Sequence, residues 1–362
     1  MTKHPRILVD GYLSINLGDD LFFSTLFERY PSCRFMLLAQ KEYEDLFAVH
    51  KNVTVYNRGV AIRVISKLMG LFGKSPAALL SPLCDIAVII GGSIFIDPNE
   101  PKGITFGKTP LFVIGSNYGP ERSTDYRKVV SDFFSRAHDV CLRDLKSYGC
   151  FSDLENVRYA PDTIFGIDLQ RYIDVNKRGN TFISVINLDE KFRPNLASHR
   201  DDYESYLAGF IVGEIRGGRS VTLVSFCKSE GDEEAVRRVA SMVPTSMGAA
   251  VSSLFYRGNP EPVLTSMGSS DKIVGSRFHS IVLGLAMGKE VYPISYSGKT
   301  EEMLGNLNKG CMRIEDLGAE STVPPISLTS AEIDELRKSA QRQFLALDAA
   351  VWELEKGRSK LE

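Results

Sequence analysis

The sequence lacks an excess of charge of either sign. Its 43 lysines and arginines are balanced by 45 aspartates and glutamates, which gives a formal net charge of −2. Domains that bind nucleic acid usually carry a marked basic excess, so the composition does not indicate a nucleic-acid partner. Hydrophobic residues make up 43% of the chain and charged residues 24%, proportions that exclude a largely disordered protein.

Long hydrophobic runs are also absent. No run approaches the ~18 apolar residues that a membrane-spanning helix needs, and the longest ones, such as Ile86 to Ile90, have the length of a buried strand. The apolar stretch near the start of the chain is broken at Asp10, too early for a secretory signal. The sequence therefore predicts a cytoplasmic protein without a membrane span.

Cysteine chemistry is a third absence. The six cysteines form no Cys-x-x-Cys pair, and none stands at zinc-binding spacing from a histidine. A chain of this length buries a sizeable core and needs no disulfides, so we expect reduced thiols and no metal site. No cofactor is expected either, because the turn at Gly91-Gly92-Ser93 lacks the Gly-x-Gly-x-x-Gly pattern of a dinucleotide site.

Apolar runs of strand length alternate with helical patterns through the whole chain. They include Arg6–Tyr12, Ile86–Ile90 and Leu111–Ile114 in the first half, and Phe182–Ile186 and Val291–Ile294 in the second. Continuous apolar strands that end in glycine and are followed by helices are typical of parallel sheets covered on both faces. The 362 residues therefore predict an α/β protein with two doubly wound, Rossmann-like domains.

The polar stretch from Asp168 to Asn180 indicates the boundary between these domains. We assign residues 1–170 to the first domain, 180–328 to the second and 329–362 to a C-terminal helix. Thr329 and Glu332 form the capping-box pattern of a helix start. Apolar residues then follow at spacings of three and four, so the helix has one face to bury. We expect it to pack on the first domain.

Polar residues and glycines stand just after several predicted strands, where ligands bind in doubly wound sheets. The first group is Asn16-Leu17-Gly18-Asp19-Asp20, at the start of a predicted helix. It is either a glycine turn with an aspartate N-cap, which the pattern alone favours, or a substrate loop. In a substrate loop, Asp19 or Asp20 would bind sugar hydroxyls or accept a proton.

Three more groups follow strands in the same half. Gly91-Gly92-Ser93 and Gly115-Ser116 either end a strand in a tight turn or let the backbone approach an anionic ligand closely. Arg143 and Asp144, with Ser147 one helical turn on, are either a surface ion pair or a cationic fork for a carboxylate or phosphate. The sequence does not decide between these alternatives.

The strongest group is Gly275-Ser276-Arg277-Phe278-His279-Ser280, between a short apolar strand and an apolar helix. If these residues are still extended, Arg277 and His279 lie on one face and Phe278 on the other. His279 and Ser280 would then stand at a helix N-terminus, where anions are favoured. A lone histidine is more often structural, but this placement favours a functional role.

Two further basic features are less specific. Lys299, after the strand Val291–Ile294, is either a solvated loop lysine or a phosphate ligand. Residues 60–74 carry basic side chains near one helical face and apolar side chains near the other. This pattern fits a helix at a membrane surface, and it fits a core-packed helix, which we favour.

The order of these pieces resembles the polysaccharide pyruvyl transferase family. The resembling features are Asn16-x-Gly18-Asp19-Asp20, Gly91-Gly92, Gly115-Ser116 with Gly119-Pro120, Arg143-Asp144 with Ser147, Pro161-Asp162, Arg277-x-His279 and Tyr296-x-x-Lys299. There are two departures: Ser93 stands where the family often has a third glycine, and Phe278 where it often has leucine. The resemblance covers most of the chain.

This resemblance implies a GT-B-like fold, with the acceptor side in the first domain and the donor side in the second. It implies transfer of the pyruvyl group of phosphoenolpyruvate to a sugar of a bacterial capsule or exopolysaccharide, or of its precursor, as a cyclic ketal. The implied partners are phosphoenolpyruvate and the sugar acceptor. A lipid-linked acceptor would place the enzyme at the inner membrane surface, with 60–74 as the candidate peripheral contact.

The resemblance also implies site residues. Phosphoenolpyruvate carries a carboxylate and a phosphate, so its site needs several cations. His279 is the implied general acid, because its unperturbed pKa lies near ~6.5. Asp19 or Asp162 would orient or deprotonate the acceptor hydroxyl, and no metal is implied. The implied substrate-binding residues are Arg277, Arg143, Lys299, Asn16, Gly18, Gly91, Gly92, Ser93, Ser116 and Ser147.

Two other functions stay open at this stage. A glycosyltransferase with a nucleotide-sugar donor would use the same architecture, with Arg277 and Lys299 holding a diphosphate. A non-catalytic binding protein could keep the same fold, although the intact Arg277-x-His279 pair argues against it. Binding of a nucleotide sugar, or anion binding without turnover, would favour these alternatives.

Overall fold

The structure is a computed structural model that describes residues 4–57, 69–106, 108–174, 176, 179–318 and 320–359. Its chain forms two compact units. The first contains residues up to Leu13, then Leu21–Gly166, and residues from Lys338 onward. The second contains Ser14–Asp20 and Ile167–Arg337. Most of segment 60–74, where the sequence predicts a helix, lies outside the described residues.

The first unit is built around one parallel sheet. Its elements in chain order are β1 (Arg6–Gly11), α1 (Leu17–Arg29), β2 (Arg34–Ala39), α2 (Glu42–Leu46), β3 (Val53–Asn57), β4 (Ile86–Ile90), β5 (Leu111–Ser116), α3 (Thr124–Phe134), β6 (Asp139–Leu142), α4 (Leu145–Gly149) and β7 (Val157–Tyr159). Within the described residues the strand order is β3-β2-β1-β4-β5-β6-β7. Chain order reverses between β1 and β4, which is where doubly wound sheets bind ligands.

The second unit repeats this plan. Its elements are β8 (Asn180–Val185), α5 (Arg200–Arg216), β9 (Ser220–Ser225), α6 (Asp232–Met242), β10 (Val251–Phe255), α7 (Glu261–Gly268), β11 (Lys272–Gly275), α8 (Phe278–Ala286), β12 (Glu290–Ser295), α9 (Gly298–Asn306) and β13 (Met312–Arg313). The strands that the structure describes pair in parallel in the order β10-β9-β8-β11-β12-β13. Here the reversal lies between β8 and β11.

Both sheets are apolar because both of their faces are covered. Every residue of β4 and β5 is buried, as expected for central strands of a parallel sheet between helices. Short 3₁₀ helices join several of the main elements; they are Pro76–Leu83, Thr163–Gly166, Gln170–Tyr172, Pro194–His199, Lys228–Glu230, Thr245–Ala250 and Ile314–Asp316. The predicted α/β class with two parallel-sheet domains is confirmed.

The C-terminal region differs from the single helix that the sequence predicts. Helix α10 (Ser330–Gln341) begins at the expected capping box, in which Glu332 N–H donates to Thr329 Oγ1 at 3.2 Å and Thr329 N–H to Glu332 Oε2 at 2.7 Å. A 3₁₀ turn at Arg342–Phe344 then separates it from α11 (Leu345–Ser359). The turn buries Gln343, whose side chain accepts from Gly115 N–H and donates to Ala160 O. A buried amide with these fixed partners explains the break.

Helix α11 packs within the first unit. Asp348 accepts two hydrogen bonds from Arg29, at 2.9 and 2.7 Å, and one from the Tyr30 hydroxyl at 2.7 Å. The last boundary between the units falls at residue 338, inside α10, and not at residue 329 as the sequence predicted. The first two turns of α10 therefore belong to the second unit. Segment Ser14–Asp20, which the sequence-based division gave to the first domain, also belongs to the second unit.

Candidate functional site

The predicted residues that follow β4, β5 and β6 lie together at the carboxyl edge of the first sheet. Arg143 directly follows β6 and is buried. Its guanidinium donates to Asp162 Oδ2 at 2.8 Å and to Asn117 Oδ1 at 2.7 Å. Its backbone N–H donates to Ser116 O, which joins the ends of β5 and β6. Arg143 is therefore oriented by its neighbours and is not a mobile surface cation.

Gly92 is a glycine because the Arg143 guanidinium lies against it. A Cβ at this position would stand 2.5 Å from one terminal nitrogen of Arg143 and 2.6 Å from its Cζ, closer than atoms pack. Gly91 has a φ of +141°, which only glycine adopts readily. The glycine pair therefore shapes the turn after β4 and makes room for the arginine.

Asp162 and Ser147 have partners that suit structural roles. Asp162 is buried, and its Oδ1 accepts from Ile164 N–H at 2.9 Å while Oδ2 binds Arg143. A carboxylate with both oxygens bonded and no exposure is poorly placed to take a proton from a sugar. Asp144 caps α4 by accepting from Ser147 N–H at 2.7 Å and from its hydroxyl at 2.8 Å, a role that neither sequence interpretation included.

Ser93 and Ser116 also take part in this network. Ser116 donates to Gly91 O at 2.8 Å, and Ser93 lies 3.4 Å from Asn117 Oδ1. Ser116 is buried, whereas Ser93 is half-buried. The first unit thus brings Gly91, Gly92, Ser93, Ser116 and Arg143 together at one sheet edge.

In the second unit, helix α8 begins earlier than the extended arrangement assumed from sequence. Arg277 is the extended N-cap residue, with φ −85° and ψ 136°, and Phe278 is already the first helical residue. His279 therefore lies in the first helical turn and does not share a strand face with Arg277. Its predicted position at a helix N-terminus is nevertheless observed, and its ring packs edge-on against Phe278, with centroids 5.0 Å apart.

Arg277 lies at the centre of a buried ion-pair cluster. Its Nε and one terminal nitrogen donate to Asp232, at 2.9 and 2.5 Å, and the other terminal nitrogen donates to Glu230 at 2.7 Å. Burial opposes its charge, but Asp232 and Glu230 hold the pKa of Arg277 well above its usual value. Because three of its five N–H donors bind protein carboxylates, the direct fork for a substrate that the sequence predicted does not fit this geometry.

Glu230 is shared between two arginines. Its Oε2 accepts from Arg193 at 2.5 Å and from Arg277 at 2.7 Å. Burial alone would raise the pKa of Glu230, but the two guanidinium groups lower it from 4.5 to about 2. The carboxylate is therefore ionised at neutral pH, and it contributes one negative charge to the ion-pair cluster.

This coupling predicts an acid sensitivity specific to Glu230. Because its folded-state pKa of about 2 lies below the ordinary value of 4.5, the carboxylate favours the folded state above pH 4.5, and that contribution is lost as the pH falls from 4.5 towards 2. By pH 3 the loss is about 2 kcal/mol. Urea unfolding of the wild type and of Glu230→Gln, measured between pH 6 and pH 3, should show the smaller pH dependence in the variant. Parallel curves would contradict this assignment.

The segment Ser14–Asp20 lies against the first turn of α8. A Cβ on Gly18 would overlap Nδ1 of His279, so the imidazole ring packs directly on the Gly18 backbone. The segment is held by Leu17 N–H, which donates to Phe226 O at 3.2 Å, and by a buried bond of 2.8 Å from the Tyr256 hydroxyl to Asp20 Oδ2. The Asn16–Asp20 and Arg277–His279 motifs, more than 250 residues apart, thus form one site.

Each aspartate of this segment has a different environment. Asp20 is buried and bonded to Tyr256, whereas Asp19 is half-buried in the first turn of α1. Ile15, just before the motif, has a φ of +43°, a conformation that β-branched residues rarely adopt. Backbone strain of this kind is found where a segment must be held in one position.

Replacing Gly18 by alanine is expected to displace the His279 ring. The added methyl group occupies the position of the imidazole. A mutation that misplaces a catalytic group by about 1 Å can cost about 10²-fold in rate, so a catalytic role of His279 predicts a loss of that size. The matched control is Gly209→Ala, in an open position of α5 where a Cβ meets nothing within 4 Å. The check is the turnover and the thermal unfolding of both variants; a Gly18→Ala protein that matches Gly209→Ala in both quantities would contradict the contact.

The start of α9 adds a second helix N-terminus to the site, next to α8 because β11 and β12 are paired. Two buried hydroxyl oxygens stand there, Ser297 Oγ and Thr300 Oγ1, and neither has a hydrogen-bond partner in the described part of the chain. Lys299 lies in the same turn, with its Nζ 5.7 Å from the Phe278 ring. Unsatisfied hydroxyls, a lysine and a helix N-terminus are groups that can bind an anion.

Tyr296 connects this turn with the ion-pair cluster. The Arg193 guanidinium lies 5.0 Å from the centre of its ring, and Lys299 Nζ lies 5.6 Å away. Burial opposes ionisation of the phenol, but Lys299, Arg277 and Arg193 lower the pKa of Tyr296 below its ordinary value of 10. The surroundings of Tyr296 therefore carry an excess of positive charge.

Sequence reasoning missed part of this cluster. Glu230 and Asp232 follow β9 just as the selected groups follow their strands, so the same rule would have found them. Arg193 follows β8 only after a loop, and Thr300 is an ordinary residue of a helix start; neither has a signal in the sequence. Among the residues with described placement, no set of three or more His, Cys, Asp or Glu side chains is arranged to hold a metal ion.

Comparison with known proteins decides the family. The family model of polysaccharide pyruvyl transferases matches residues 16–298, most of the chain. The chain belongs to the polysaccharide pyruvyl transferase family. The match to this pyruvyl transferase model begins at Asn16 and includes His279, and it ends one residue before Lys299.

A curated relative of this family member is the amylovoran biosynthesis protein AmsJ of Erwinia amylovora. The two are 21% identical over 242 residues, which are 60% of this chain and 58% of AmsJ. Less than two thirds of the length of AmsJ is thus matched. The relative's name connects it with the biosynthesis of amylovoran.

Solved structures confirm the GT-B-like fold predicted for this pyruvyl transferase family member. UDP-GlcNAc 2-epimerase from Methanocaldococcus jannaschii matches 95% of this chain and 99% of its own, with a TM-score of 0.58 and 7% identity. HepE from Anabaena, in complex with UDP-glucose, matches 99% of both chains with a TM-score of 0.50 and 14% identity. At such identities the likeness is one of fold alone. No helix among the described residues is long and apolar enough to cross a membrane.

Proposed function

We propose that this protein transfers the pyruvyl group of phosphoenolpyruvate to a sugar of an exopolysaccharide or of its precursor, forming a cyclic ketal. Membership of the polysaccharide pyruvyl transferase family supports the reaction class. The observation that supports phosphoenolpyruvate as the donor is the candidate anion site of the second unit. The N-terminal turns of α8 and α9 lie at this site. Lys299 and the unsatisfied hydroxyls of Ser297 and Thr300 stand at the start of α9.

In this proposal the donor phosphate is bound at the start of α9. Ser297 and Thr300 donate hydrogen bonds to phosphate oxygens, and Lys299 contributes a point charge. Backbone N–H groups of a first helical turn have no partner within the helix, so they add further donors. Arg277 acts as a positioning residue, because its bonds to Asp232 and Glu230 hold the turn that leads into His279.

The chemistry begins with protonation of the methylene carbon of phosphoenolpyruvate, which makes the neighbouring carbon electrophilic. A sugar hydroxyl then forms a carbon–oxygen bond to that carbon, and the bond to phosphate breaks. A second hydroxyl closes the ketal ring. One hydroxyl proton balances the proton added to the methylene carbon, and the other leaves with phosphate. No oxidant or reductant is needed.

We assign the protonation to His279. An imidazole titrates near neutral pH, which suits proton transfer to carbon, and its ring is fixed by Gly18 and Phe278. Asp19 is the proposed group that orients or deprotonates the acceptor hydroxyl. Asp162, with both oxygens bonded, is proposed instead to hold Arg143. The carboxyl edge of the first sheet, with Gly91, Gly92 and Arg143, is the proposed acceptor side.

The donor assignment is tested by thermal unfolding of the full chain with phosphoenolpyruvate, UDP-glucose or inorganic phosphate. A ligand at 100 times its Kd stabilises the folded state by about 2.7 kcal/mol, which corresponds to a Tm increase of several degrees. We expect the increase with phosphoenolpyruvate, its loss in Lys299→Met and its retention in the control Lys128→Met, a lysine with an 80% exposed side chain. An increase with UDP-glucose alone would favour a glycosyltransferase.

The acceptor is proposed to be a sugar unit, either free in a precursor or linked to a lipid. Acid-labile pyruvate on an oligosaccharide acceptor, together with an equal amount of released phosphate, would identify the product. Phosphate release without pyruvate on the sugar would contradict ketal formation. Both quantities are measured in one incubation with phosphoenolpyruvate labelled in its pyruvyl carbons.

A further inference from the structure

The first unit contains a pocket that the proposed reaction does not use. Its volume is about 700 Å³. Part of its wall comes from Pro110, Leu111 and His138, which begin or directly precede β5 and β6. It therefore reaches the amino ends of these parallel strands, whereas Gly92 and Arg143 stand at the carboxyl ends.

The pocket is basic. Four of its lining residues are Lys74, Lys108, Arg136 and His138, and its wall contains no aspartate or glutamate. None of the four forms an ion pair with a carboxylate in the described part of the chain. Lys74 donates to Thr105 O at 2.9 Å and Arg136 to Asp132 O at 2.7 Å, bonds to neutral carbonyls that leave the positive charges uncompensated.

Exposed apolar side chains line the pocket, contact one of its cations or neighbour a lining residue in the chain. Leu71 is 81% exposed and Phe72, which lines the pocket, is 72% exposed. Phe106 is also exposed, and Lys74 Nζ lies 5.6 Å from the centre of its ring. Scattered exposed apolar residues are ordinary, but a cluster beside uncompensated cations is typical of surfaces that contact the interface of a membrane.

We propose that this pocket and its rim bind the surface of a bilayer that contains anionic phospholipid. Lys74, Lys108 and Arg136 contact the headgroup phosphates, and Leu71 and Phe72 enter the boundary between headgroups and acyl chains. Charge complementarity selects this occupant, because the positive side chains suit a surface of high negative charge density. Apolar residues at the rim would gain nothing from a soluble anion.

Vesicle sedimentation of the full chain tests this proposal. The vesicles consist of phosphatidylcholine alone or of phosphatidylcholine with phosphatidylglycerol. We expect binding to the mixed vesicles only, weakened by salt. Each basic residue near an anionic surface strengthens partitioning by about fivefold, so Lys108→Gln/Arg136→Gln should bind about 25-fold more weakly. Leu71→Ser/Phe72→Ser should also lose binding, including at low salt.

The matched control is Val49→Ser/Lys51→Gln, which removes one exposed apolar group and one exposed charge outside the pocket. It should bind as the wild type does, and all variants should keep the wild-type Tm. Equal binding to both kinds of vesicle, or unchanged binding of Lys108→Gln/Arg136→Gln, would overturn the proposal. So would a Tm increase with inorganic phosphate that depends on Arg136, without vesicle binding, since the pocket would then be a soluble-anion site.

Discussion

Replacing Arg277 by methionine is expected to lower the free energy of unfolding by about 3–5 kcal/mol, because it leaves a buried carboxylate without its partner. Asp232 is fully buried, and Arg277 supplies two of its hydrogen bonds. Glu230 loses only one of its two arginine partners, since Arg193 still donates to it at 2.5 Å. Urea unfolding followed by circular dichroism measures the effect.

Two further variants separate the ion pair from the side chain's volume. The double variant Arg277→Met/Asp232→Leu removes both charges and should recover most of the lost stability, as replacing a whole buried pair is often nearly neutral. Arg313→Met removes an arginine with a 54% exposed side chain that pairs with Glu315, and it should change stability very little. If Arg277→Met behaves like Arg313→Met, the cluster contributes nothing to folding.

The second large effect concerns His279. The variant His279→Asn is expected to keep the fold and to lose about 10²–10⁴-fold in kcat, the usual contribution of a positioned proton donor. The affinity for phosphoenolpyruvate should change much less, because we propose that Lys299, Ser297 and Thr300 bind the donor phosphate. Single-turnover rates and donor binding, measured on the same preparation, separate these quantities.

His4→Asn is the control for this experiment, because His4 is exposed and belongs to the first unit, whereas His279 belongs to the second. It should retain full turnover. A normal kcat in His279→Asn would exclude the histidine as the proton donor and would direct attention to Tyr296, whose hydroxyl pKa is lowered by the neighbouring cations. Loss of donor binding with unchanged kcat would instead make His279 a phosphate ligand.

The sequence predicted the sheets well because buried parallel strands have an unmistakable composition. Ile86–Ile90 is a strand over the predicted residues, and Leu111–Ile114 is extended by only two residues. The rule that ligands bind just after the strands of such sheets also selected Gly92, Arg143 and His279 as candidate site residues. Such rules work because the chain must leave each strand at the ligand-binding edge.

Pairings between distant residues could not be predicted in this way. Nothing in the sequence indicates that Arg277 binds Glu230 and Asp232, the contacts on which its proposed positioning role rests. The contact of Gly18 with His279 likewise joins residues that are far apart in the sequence and meet only in the folded chain. The break in the C-terminal helix depends on Gln343, whose partners Gly115 and Ala160 lie in other elements; the apolar spacing continues across it unchanged.

The unit assignment of Ser14–Asp20 restricts how parts of related enzymes can be recombined. A chimeric chain that takes residues 167–337 from a second family member would carry a foreign His279 against its original Gly18, Tyr256 against its original Asp20, and Phe226 against its original Leu17. The exchangeable module is therefore discontinuous, and a successful exchange has to transplant the seven-residue insert together with the later segment. Such a chimera would test the proposed division, in which acceptor preference follows the parent of the first unit and donor use follows the parent of the second.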